Sequence, residues 1–147
     1  MLTAIKNYLN KETYLDNKDK LFRAFPSFLK SDVEVVLSYL PLHSKRFILS
    51  SVFLDVHIDN ELLKIPYRIY FEEINEDDIA RLTNRQKTIL YCMYLRNNDG
   101  GLRQKYLERL RENKDYWVIP FIFNLLGEYV FELLEILNEY INQDNID

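Results

Sequence analysis

Cysteine, glycine and proline are all scarce in this chain of 147 residues, with one Cys, three Gly and four Pro. A lone Cys92 forms no internal disulfide, which removes the chain from the class of disulfide-stapled secreted domains and predicts a reducing, cytoplasmic setting. So few glycines and prolines cannot supply the special turns of an all-β sandwich or barrel, so helices joined by short polar loops are expected. The opening MLTAIKNYLNKETYL has neither the apolar run nor the small-residue cleavage site of a secretory signal. The longest uninterrupted apolar stretch, Tyr116 to Phe123, contains Pro120 and falls far short of the ~20 residues that cross a bilayer, so no membrane contact is expected. Positive charge is lacking too: 19 basic against 23 acidic side chains leave −4, a poor match for a phosphate backbone, and direct nucleic-acid binding is not expected.

What is present is a large apolar complement, 48% of the chain with 11 Tyr, 9 Phe and 1 Trp, enough for the core of one domain spanning 1–147. Leu2, Ile5, Tyr8 and Leu9 recur at helical spacing, and a second amphipathic run follows from Asn17 to Phe25. Ser31 with Glu34 forms a capping-box pattern ahead of Val36 and Leu37, and Ser44 can cap a run carrying Phe47, Ile48 and Leu49. From Val52 the period becomes two on both sides of Asp59-Asn60-Glu61, which predicts a β-hairpin near residues 52–71 with Pro66 in an edge strand. The alternative continues the helix from Ser44 to about Val56. Asn75 caps a short helix, Thr83 with Gln86 forms a second capping box, and Leu102, Tyr106, Leu107 and Leu110 mark a basic amphipathic helix.

The final helix, from about Val118 to Asn142, carries Glu128, Glu132, Glu135 and Glu139 within one narrow arc at about 100° per residue. The rest of its circumference is apolar, so burial against most of the other elements is expected, with Leu126 and Leu133 in the core. Gly127 suggests close approach by a neighbour. The stretch DGGLRQKYLERLRENKDYWVIPFIFNLLGEYVFELLEILNEYI, residues 99–141, resembles one helical pair of a HEAT-type repeat protein: an Arg-bearing first helix, a turn, and a long apolar second helix. The expected fold class is mainly α, a single-domain helical bundle or a HEAT-like helical stack carrying the small hairpin.

Catalytic patterns are thin. Asp55, His57 and Asp59 project from one side of a strand and could converge on a divalent metal, but cross-strand pairing with Lys64 or Arg68 accounts for them more simply. His43 has no second base or nucleophile assigned by spacing, and Cys92 lies between Tyr91 and Met93 on an amphipathic helix, where a thiol behaves as a small hydrophobe. No Gly-rich nucleotide fingerprint, P-loop, H-E-x-x-H or C-x-x-C occurs. The expectation is a protein that is not an enzyme, with no metal and no cofactor.

The candidate binding residues are acidic: Glu72, Glu73, Glu76, Asp77 and Asp78 after the hairpin, and Glu128, Glu132, Glu135 and Glu139 on the final helix. Either set can serve solubility alone or attract a basic partner. Internal neutralisation of Glu128 and Glu132 by Arg103, Lys105, Arg109 or Arg111 is the default expectation. In size, charge and missing chemistry the chain resembles the small bacterial immunity proteins that neutralise a cognate toxin. That resemblance implies a protein partner such as a basic toxin domain, a nuclease among them; a HEAT-like adaptor is the alternative, and an enzyme of another class the third.

Overall fold

The change of period at Val52 marks a change of structure. In the computed structural model, which describes residues 1–144, strands β2 (Phe53–Ile58) and β3 (Glu61–Pro66) pair antiparallel, with Leu54 opposite Ile65 and Val56 opposite Leu63. Asp59 and Asn60 make the reversal with φ of 51° and 63°. Short polar side chains tolerate that left-handed region, and a two-residue turn of this hand matches the twist of the strands it joins. Leu63 and Ile65 are buried while Asp55 and His57 are exposed, so alternation delivers one apolar face.

The remaining architecture is mainly helical: α1 (Leu2–Phe22), α2 (Lys30–Ser38), α3 (Glu76–Ala80), α4 (Asn84–Tyr94), α5 (Gly100–Arg109) and α6 (Ile119–Asp144). The hairpin expected over 52–71 ends at Pro66: the last part of that range forms a separate short strand, β4 (Ile69–Tyr70), which pairs antiparallel with β1 (Ile48–Leu49). The Ile69 amide donates to the Arg96 carbonyl at 2.8 Å, which ties β4 to the end of α4. Asn75 caps α3, and the reciprocal Thr83–Gln86 box starts α4.

The core is built on aromatic contacts. Phe47, Phe71, Tyr94 and Tyr106 follow one another in ring contact, with the Tyr94 and Tyr106 rings stacked at 4.1 Å. Phe25 packs on Trp117 and Phe121, which joins the end of α1 to the start of α6.

Several expectations are corrected. The two N-terminal runs form one helix, α1, and only its C-terminal part meets the core: residues 1–9 are exposed, whereas Asn17 and Leu21 are buried. Ser31 and Glu34 form no capping box, because α2 continues from a 3-10 turn at Ser27–Leu29 and Glu34 turns to Lys18 instead. The residues after Ser44 are a turn and β1, since Phe47 is drawn into the aromatic stack and Ile48 and Leu49 into the ladder.

The largest correction concerns α6. Trp117 and Val118, in the 3-10 turn that precedes it, and Phe121 and Leu125, in its first two turns, are buried. Beyond them Leu126, Val130, Phe131, Leu133, Leu134, Ile136, Leu137, Tyr140 and Ile141 are all about half exposed. The helix does not lie across the other elements but leaves the body as an arm. Gly127 faces open space, with nothing within 4 Å of an added Cβ, so no close approach explains it.

Candidate functional site

The arm leaves the body at a part-buried ion triad. Arg96, at the end of α4, is fully buried, and its Nη1 donates to Glu128 Oε1 at 2.9 Å; Arg68, on the turn between β3 and β4, donates to both oxygens of the same carboxylate at 3.1 and 2.9 Å. Burial alone would raise the Glu128 carboxyl, but hydrogen bonding to Arg68 and the charge of Arg96 outweigh it and hold the group below its ordinary value. Arg96 is pushed down by its burial, and the Glu128 carboxylate opposes that shift. The four expected cations are not the partners: Lys105 and Arg109 pair with Glu73 and Glu76, Arg111 with Glu108, and Arg103 donates to the Asn97 carbonyl.

The acidic block after the hairpin divides into two groups. Glu73 accepts from Lys105 and from the Tyr106 hydroxyl, and Glu76 from Arg109. Hydrogen bonding to Arg109 is the main cause that lowers the Glu76 carboxyl; at Glu73 burial raises the carboxyl, and the bonds from Lys105 and Tyr106 bring it down overall. These two carboxylates join α5 to the first residue of α3 and to the segment just before it. Glu72 meets Arg46 at 3.6 Å with both side chains almost fully exposed, a pair of little energetic weight. Asp77 and Asp78 occupy the first turn of α3 and make no ion pair among the described residues. Glu132, Glu135 and Glu139 are exposed along α6, which contains no Lys, Arg or His at all.

The open candidates on the surface are thus Glu72, Asp77, Asp78, Glu132, Glu135 and Glu139, while Glu73, Glu76 and Glu128 have internal duties. Sequence reasoning set Arg68 across the hairpin as a partner for Asp55, His57 and Asp59, whereas it pairs with Glu128, and it missed Arg96 altogether. The signal for Arg96 was its place at the end of the apolar run Tyr91–Leu95, where a charge entering the core needs a carboxylate.

Among the described residues Asp55, His57 and Asp59 do not converge on one point. Asp55 pairs with Lys64 at 3.3 Å, His57 stands opposite Leu62, and Asp59 accepts from the Tyr116 hydroxyl. Among the described residues no three His, Cys, Asp or Glu side chains are grouped as metal ligands. Cys92 is fully buried, and that burial pushes its thiol well up, away from the nucleophilic thiolate. An open groove of about 450 Å³ beside β4 is lined by Arg46, Glu72, Glu73, Asn97 and Asp99, without a nucleophile and base in contact. Comparison with known proteins returns no match, whether to a family model, a curated protein or a solved structure.

Proposed function

We propose that this protein acts by association with another protein and not by catalysis, and that α6 is its binding element. The observation that carries this reading is the arm itself: a helix that leaves the body after Leu125, apolar over most of its circumference, with carboxylates as its only charges. An isolated helix of this length gains little stability from its own hydrogen bonds, so such a surface makes sense where something docks on it.

The acidic stripe of Glu132, Glu135 and Glu139, with Glu72, Asp77 and Asp78 on the body, suits a basic partner, whose approach it would accelerate and orient. Within that class the reading we favour is an immunity protein acting in the cytoplasm, its carboxylates occluding the cationic site of a toxin domain. A HEAT-like adaptor is the second reading. It is favoured by the packing of α4 against α2 and α5, and would engage several partners instead of one.

The test is co-expression with the product of the adjacent open reading frame. Rescue from growth arrest is expected, together with a complex whose association rate falls as salt rises. Changing Glu132, Glu135 and Glu139 to Lys should abolish rescue while far-UV circular dichroism stays unchanged. Rescue that survives the triple reversal removes the stripe from the mechanism, and absence of any complex removes the immunity reading.

A further inference from the structure

The chain has more surface than a compact monomer of its mass. Its accessible area is 9764 Å², whereas ~8,000 Å² is expected for 17.8 kDa, an excess of about 1,800 Å². A standard protein interface removes roughly 800 Å² from each partner. Large exposed apolar side chains cluster at two places, the arm of α6 beyond Leu125 and the N-terminal half of α1, where Leu2, Ile5, Tyr8 and Leu9 are all more than half exposed.

A bilayer is the first occupant to consider for α6, since the segment Tyr116–Asn142 is long and apolar enough to span one. Two features oppose it. Only an 18-residue stretch starting at Tyr116 or Trp117 contains as few as two glutamates, and that stretch takes in Trp117, Val118, Phe121 and Leu125, which form part of the body's core. A helix lying in the headgroup plane instead characteristically carries Lys and Arg, and this one offers carboxylates alone.

The two bare surfaces complement each other. On α1, Leu2, Ile5 and Leu9 line an open groove of about 330 Å³ whose remaining lining residues are Lys6 and Lys45, with no carboxylate. On α6 an apolar surface is edged by Glu132, Glu135 and Glu139, with no cation. Apolar surface therefore meets apolar surface, and lysine meets glutamate. Within one chain both remain exposed, and the Arg68–Glu128–Arg96 triad fixes the direction in which α6 leaves the body. We infer that the occupant is a second copy of this chain, the α6 arm of each protomer lying in the α1 groove of the other. A two-fold axis makes the two contacts identical and closes the assembly at a dimer. This rests on the arm as a binding element and not on the identity of any toxin. Because the same glutamates serve both contacts, a toxin would displace the second copy; since dimerisation is measured without a toxin and rescue with one, the two failures are separately visible.

Sedimentation equilibrium of the full chain without a partner should give twice 17.8 kDa at micromolar concentration. The α1 variant Ile5→Asp with Leu9→Asp and the α6 variant Leu133→Asp with Leu137→Asp should each sediment as monomers, with ellipticity of the folded body retained, because all four side chains are exposed. An equimolar mixture of the two variants restores one of the two contacts and should show intermediate association. A monomeric wild type overturns the inference. So does an α1 variant that stays dimeric, which would mean that the arms pair with each other, and so does a wild type that floats with phosphatidylcholine vesicles as a monomer.

Discussion

At the scale of single residues the decisive group is Glu128. Among the described residues its carboxylate is the one bonded to the fully buried Arg96, so Glu128→Gln leaves a guanidinium in the core without that counter-charge. Removing one partner of a buried pair costs about 3 kcal/mol or more, which urea denaturation of the variant should show. Pairing Glu128→Gln with Arg96→Met should recover much of that loss, because the orphaned charge is gone; additive losses would mean that the two groups do not interact. The same bond gives a pH dependence of defined sign. The bonds from Arg68 and the charge of Arg96 hold the Glu128 carboxyl below its ordinary value in the folded state, so its contribution is complete above the ordinary carboxylate range and is lost as pH falls through the lowered folded value. Acid should therefore loosen the base of α6, visible as faster amide exchange around residues 124–130. Glu128 was legible as a member of the glutamate arc. Its partners were not, because Arg68 and Arg96 lie 60 and 32 residues away and only the fold brings them to one carboxylate.

At the scale of elements, α6 has two parts that should respond differently to the same substitution. Leu125 is fully buried, and Leu125→Ala should cost about 2–5 kcal/mol. Leu133 is 60% exposed, and Leu133→Ala should shift the body's unfolding by less than ~0.5 kcal/mol, its effect confined to association. Thermal melts of the two variants at low concentration separate these outcomes. The expectation of a buried helix failed here for a physical reason: the helical wheel records how much apolar surface an element has, not whether a neighbour lies within reach of it. The hairpin was legible because strict alternation flanked Asp59-Asn60, two residues suited to positive φ, and the start of α4 because Thr83 and Gln86 satisfy each other's backbone amides locally. The β1–β4 ladder was illegible, since two residues per strand carry no period and the pairing is set by contacts to α4.

At the scale of the whole molecule, body and arm are held by different forces, and Trp117 tells them apart. The only tryptophan is buried against Phe25 where the body meets α6, two turns before the arm begins. Its indole emission therefore reports the integrity of the body and is blind to what happens beyond Leu125. Backbone ellipticity, by contrast, sums over the arm as well. Heating a dilute sample should make ellipticity decline before the emission maximum shifts red, and raising the protein concentration should bring the two curves together as the arm gains a cover. Curves that coincide at every concentration would mean that the arm and the body melt as one cooperative unit.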